Sequence, residues 1–150
     1  MEHKKSAWVF TVASLVGVLA SLALAIEKYL ILVNPFYLPS CSIDEKINCA
    51  TVMNSSQSEL LGFPNPYLGL VAFSMVFGLS IGILAGAKYA AWLWSGLLAG
   101  LSLAIIFVLW LAYQSIFSIG ALCPYCIVTW ISTVLLFIAT LRLRKRPRAE

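Results

Sequence analysis

Apolar residues along this chain collect into four long runs without charge, and the polar residues collect between and beyond them. The runs extend from Ser6 to Ile26, from about Tyr67 to Ala87, from Tyr89 to about Phe117, and from about Pro124 to Leu141. A helix needs about 20 mostly apolar residues to cross a hydrocarbon core of about 30 Å, so each run predicts a transmembrane helix. Lipid cannot hydrogen-bond an open backbone, and the alternation of apolar and polar positions that a membrane barrel requires is missing. The expected fold is therefore all-α, an integral membrane bundle of four transmembrane helices over residues 6–26, 67–87, 89–117 and 124–141. One domain takes in residues 1–150, with a loop over 27–65 after the first span and a basic tail over 142–150 after the last.

The first run follows the basic stretch His3-Lys4-Lys5, as a signal peptide would. It is longer than the usual apolar region of about 7 to 15 residues and lacks a clear small-residue cleavage site, so it is expected to be retained.

Composition agrees with the pattern: 61% of residues are hydrophobic and 11% charged, against about a quarter charged in soluble domains. The net charge of +4 comes from basic residues concentrated at the termini and not in a stripe interleaved with aromatics, which argues against a nucleic-acid partner. Of the ten Lys and Arg, eight precede span one, follow span four or sit at Lys88 between spans two and three, while Lys28 and Lys46 fall on the other side. The positive-inside bias then places both termini in the cytoplasm and the 27–65 loop outside. The tail from Arg142 to Arg148 reads as a topology and headgroup anchor. Ser74, Gly78, Gly82 and Gly86 in span two, and Gly96 and Gly100 in span three, form small-residue stripes expected to serve close packing within the bundle, with a homodimer face as the alternative.

The four cysteines change the picture most. Cys41 and Cys49 lie in the external loop, and Cys123 and Cys126 lie where span four begins, so span parity brings both pairs to the outer face. In Cys123-Pro124-Tyr125-Cys126 the proline suits the first turn of a helix, where its missing N–H is not needed. The positive end of the helix dipole and its unpaired amides favour thiolate over thiol there, so this pair is expected to be redox-active. Cys41 and Cys49 read either as a staple of the loop or, beside a second pair, as an exposed and mobile shuttle exchanging through mixed disulfides. Only one pair has the close spacing of a four-thiolate zinc site, so no metal is expected. The single His, at position 3, falls on the wrong side, and no ligand set for haem or an iron–sulfur cluster is present. A lipid-soluble quinone is the electron acceptor that fits, held in an apolar, aromatic pocket whose candidate walls are Phe63, Tyr67, Trp110, Tyr113, Tyr125 and Trp130.

These residues also resemble a known family. Cys41, Cys49 followed by Ala50-Thr51-Val52-Met53-Asn54-Ser55, the Gly62-Phe63-Pro64-Asn65-Pro66 entry to span two with Leu68-Gly69, and Gly120-Ala121-Leu122-Cys123-Pro124-Tyr125-Cys126 make the chain resemble the vitamin K epoxide reductase family in its compact bacterial form. The resemblance implies a four-helix bundle around a quinone, capped by the extracytoplasmic loop and a short helix. It implies that Cys126 faces the quinone ring, that Cys123 is its disulfide partner, that Cys49 exchanges with Cys123, and that Cys41 pairs with Cys49 and meets an external protein. It matches Ser55 to a small polar residue near the site and Asn65 to an amide that hydrogen-bonds a quinone oxygen. Trp130 stands where the animal enzymes have a tyrosine, and an indole donates but does not accept, which favours quinone over epoxide reduction. Many bacterial relatives continue into a thioredoxin-like domain for which this chain has no room, so the expected partner is a separate thioredoxin-fold dithiol oxidase.

The expected function is thus that of a membrane thiol–disulfide oxidoreductase of the bacterial cytoplasmic (inner) membrane. It relays electrons from that partner through Cys41/Cys49 and Cys123/Cys126 to a menaquinone, ubiquinone or vitamin K type quinone and so supports disulfide formation. A vitamin K quinone or epoxide reductase is the alternative among enzymes, and a disulfide-stapled membrane scaffold the alternative of another class.

Overall fold

The computed structural model describes residues 2–145, so Arg146 and Arg148 of the basic tail lie outside the described residues. Among the described residues four helices are long and apolar enough to cross a membrane, and the protein is a multi-pass membrane protein. Helix α1 covers Glu2–Val33, and α2 is a single turn over Cys49–Met53 followed by a 3₁₀ turn at Ser56–Glu59. Helix α3 covers Asn65–Leu84, α4 covers Ala91–Gln114, and α5 covers Pro124–Arg144.

Local chemistry explains the boundaries. Pro66 and Pro124 sit in the first turns of α3 and α5, where a missing N–H costs nothing. Helix α4 runs on through a π-helical turn at Ser115–Ile119 and stops at Gly120, whose φ of 70° only glycine adopts without strain. That left-handed residue turns the chain towards Cys123. Helix α1 carries Glu27 and Lys28 before it ends, because both charges find partners in the loop that folds over them.

Helix α1 packs against both α3 and α5, and α4 packs against α5. Phe10 and Ala13 of α1 meet Phe73 and Val76 of α3, Leu101 of α4 and Leu136 and Ala139 of α5 in the main core. The outer faces remain apolar, with Leu19, Met75, Leu103 and Ile131 exposed, as suits lipid contact. Direct packing of α3 on α4 is sparse, and a slot is left between them.

The small-residue stripes do only part of what their spacing predicts. A Cβ at Gly78, Gly96 or Gly100 would meet nothing, so these glycines do not mediate helix packing within the chain. Close approaches fall at Gly82, where a Cβ would overlap the Tyr89 hydroxyl, at Gly69, where it would crowd the Ser21 hydroxyl of α1, and at Gly17 of α1, where it would overlap the ring of Phe73. Periodicity located small residues but not the direction in which each helix turns them.

Candidate functional site

The loop between α1 and α3 folds back on the bundle and is fixed to the start of α5 by main-chain bonds. Ile47 and Leu122 form an isolated parallel bridge, in which Leu122 donates to the Lys46 carbonyl at 2.7 Å and Asn48 donates to the Leu122 carbonyl at 3.1 Å. Asn48 then caps α2, its Oδ1 accepting from the Thr51 amide at 3.2 Å and from the Ser42 hydroxyl at 3.1 Å. Cys49 is the first residue of α2, and Cys123 is the residue before α5, so bridge and cap together face one cysteine with the other.

The result is a chain of sulfurs. Cys41 and Cys49 are joined in a disulfide, Cys123 and Cys126 are free thiols, and the Cys123 sulfur lies 2.8 Å from that of Cys49. The sulfurs of Cys41, Cys49 and Cys123 all lie within 4.8 Å of one another. They are packed with Leu24 and Met53, with Ile31, Val52, Tyr125 and Cys126 around them. Loop cysteines expected to be exposed and mobile are in fact covered: Cys41 is 6% exposed and Cys49 is fully buried. The bridge, the cap and the apolar contacts hold the disulfide down.

A hydrogen bond from the Cys126 thiol holds the Cys123 thiol below its ordinary range. The backbone amides of Cys126 and Tyr125 act in the same sense, while burial and the Glu27 carboxylate oppose it. Thiolate at Cys123 is thus favoured on the atom that faces the disulfide. Glu27 is itself buried; its Oε1 accepts from the Ser40 hydroxyl at 2.5 Å, and among the described residues its Oε2 has no hydrogen-bond partner.

Cys126 faces the other way, into the slot between α3 and α4, a cavity of about 440 Å³. That volume is within the range of small-molecule sites. Its walls are apolar side chains such as Phe73, Leu101 and Phe107, with hydroxyls of Ser21, Ser115, Thr129 and Thr133 among them, and Lys28, Ser55, Gln57, Ser58, Asn65 and Cys126 supply a polar end under α2. Of the predicted wall residues, Ser55, Asn65 and Trp130 line the cavity together with Cys126. The structure places the others elsewhere. Phe63 and Tyr113 are exposed, Tyr113 lying against Phe117; Trp110 stacks on the cavity residue Phe107; Tyr67 and Tyr125 are half-buried outside the lining.

The donor inventory decides what the polar end suits. Ser55 gives its proton to the Val52 carbonyl at 2.6 Å, and Ser58 gives its own to Met53 and Ser55 carbonyls. Asn65 spends one N–H on the Gln57 carbonyl at 2.8 Å and has a second to offer. Lys28 donates to the Met53 carbonyl at 2.6 Å and pairs with Glu59 at 2.8 Å. Remaining donors above an apolar slot, beside a thiol, fit a flat apolar ring carrying acceptor oxygens, which is what a quinone is. Sequence reasoning missed Lys28 and Glu27. Their position beside the end of an apolar run was the available signal, but it reads equally well as a span boundary.

A membrane bundle with a disulfide, a thiol pair in line with it and a ring-sized cavity at the end defines a membrane-embedded oxidoreductase. The sequence profile of the vitamin K epoxide reductase family matches residues 8–141, nearly the whole chain. The chain belongs to that family. Among curated proteins, none matches the sequence at a significant level.

Proposed function

We propose that this protein is a quinone-dependent thiol–disulfide oxidoreductase that passes electrons from an external dithiol through Cys41/Cys49 and then Cys123/Cys126. The observation that carries this reading is the series arrangement: the Cys123 sulfur stands 2.8 Å from Cys49, and Cys126 lines the cavity.

An external dithiol reduces the Cys41–Cys49 disulfide once the loop opens. The Cys49 thiolate attacks Cys123 of an oxidised Cys123–Cys126 pair, forming the Cys49–Cys123 bond and releasing Cys126. The Cys41 thiolate then attacks Cys49, restoring the loop disulfide and freeing Cys123, which is the sulfur state seen here. A bound quinone supplies the two-electron acceptor that lets Cys123 and Cys126 return to a disulfide. Asn65 offers its free N–H to a carbonyl oxygen, Trp130 and Phe107 form part of the wall, and Ser55 holds the turn after α2. With Trp130 in the cavity, no phenol takes the tyrosine position there, and this supports quinone over epoxide as substrate.

The charge bias of the sequence supports a cytoplasmic-membrane location with both termini cytoplasmic and the cysteines outside. A thioredoxin-fold dithiol oxidase outside the membrane is then the partner that Cys41 serves. The test is hydroquinone formation by the purified chain in liposomes, driven by a reduced thioredoxin-fold protein. Each Cys→Ala change should abolish it. Undiminished turnover in Cys126→Ala sinks the proposal.

A further inference from the structure

We propose that Lys28 is the charge-stabilising residue of the cavity, its ammonium offsetting negative charge that arrives on a quinone oxygen as the Cys123/Cys126 dithiol is oxidised. This rests on the quinone reading above and adds a residue to it.

Lysine is almost never fully buried unless paired, yet Lys28 is only 4% exposed. Its three donors meet two acceptors among the described residues, the Met53 carbonyl and the Glu59 carboxylate, so one donor is left at a cavity wall. No other charged side chain among the described residues lines that cavity. The counter-charge is unequal to the ammonium, because the Glu59 side chain is 43% exposed and solvent-screened while that of Lys28 is 5% exposed. The polar end of the cavity is therefore net positive. Fastening α2 to α1 requires only a neutral donor, and burying a full charge for that purpose is a cost without return. It has a return where charge develops during a reaction, and fixed charges in a dry site act there most strongly.

The redox balance shows when this matters. Closing the Cys123–Cys126 disulfide releases two electrons and two protons, and turning a quinone into a hydroquinone consumes two of each. The protons released equal those consumed, so the balance takes none from Lys28. Its role falls in the interval when charge has reached the oxygen ahead of the protons, with Asn65 as the neutral second donor.

The test compares a naphthoquinone with its hydroxynaphthoquinone analogue, which is an anion at neutral pH, by titration calorimetry on the full chain in nanodiscs. Lys28→Met should weaken the anion by about tenfold to 100-fold, the span of a charge-assisted hydrogen bond, and leave the neutral ring within about threefold. Glu59→Gln, at a partly exposed site, should tighten the anion by about two- to fivefold, since it removes the counter-charge and leaves Lys28 in place. The opposite signs are the signature of electrostatics. If both variants lose both ligands together, or neither variant separates anion from neutral ring, the pair is a fastener and the proposal is overturned while the quinone reading stands. If the unaltered chain binds neither probe, the quinone reading fails, and the role of Lys28 fails with it.

Discussion

Replacing Asn48 by Ala should weaken the junction between the two cysteine pairs without touching a cysteine. The Asn48 side chain caps α2 through the Thr51 amide and accepts from the Ser42 hydroxyl, while its main-chain bond to Leu122 survives substitution. Loss of a cap costs about 1 kcal/mol and loss of a part-buried hydrogen bond about another 1, so the docked turn loses about 2 kcal/mol. That is about 30-fold in the effective concentration of the Cys49 sulfur at Cys123. The assay uses a Cys41→Ala, Cys126→Ala background, in which Cys49 and Cys123 are the only thiols, and reads their disulfide against a glutathione redox buffer. Asn48→Ala should lower that effective concentration by about 30-fold, whereas Asn48→Asp, which keeps the acceptor, should stay within about threefold. A value for Asn48→Ala within about threefold of the parent would refute the claim that the cap sets the distance between the sulfurs.

Glu27→Gln should move two titrations in one direction. The nearby carboxylate raises the Tyr37 phenol and opposes the lowering of the Cys123 thiol, so its removal should carry both to lower pH, as read by phenolate and thiolate absorbance. Cys126→Ala should move Cys123 the other way, because the hydrogen bond from Cys126 is the largest influence lowering it. Gly17→Ala forces the Phe73 ring aside in the α1–α3 contact and should destabilise the bundle by about 1–3 kcal/mol, while Gly78→Ala, in open space within α3, should not lower the thermal unfolding temperature. Ala104→Trp, on the cavity wall, should block quinone reduction while leaving exchange between the cysteine pairs intact, as seen by disulfide mapping.

The spans were legible because lipid makes a simple demand: long apolar runs become helices, and Pro124 marks where one begins. That the Cys123-Pro124-Tyr125-Cys126 motif opens a helix was legible too, because Pro124 suits a first turn. The loop was not. Nothing in the segment 34–48 announces the parallel bridge at Ile47 and Leu122, which closes the loop over its own disulfide and buries Cys41 and Cys49. Nor does sequence show that α1 continues to Val33, carrying Lys28 to a wall of the cavity instead of leaving it in a loop. Glycine spacing misled at Gly78, Gly96 and Gly100 because a membrane helix has apolar residues on every side, so periodicity alone does not say which side meets a neighbour.

The order in which the four sulfurs oxidise distinguishes a relay from two independent disulfides. The fully reduced chain is mixed with one equivalent of a short-chain quinone, quenched at intervals with acid, and its disulfides are mapped by mass spectrometry. The account predicts a Cys123–Cys126 disulfide first, then a Cys49–Cys123 link, then Cys41–Cys49. Appearance of Cys41–Cys49 at an undiminished rate in a chain carrying both Cys123→Ala and Cys126→Ala would contradict it.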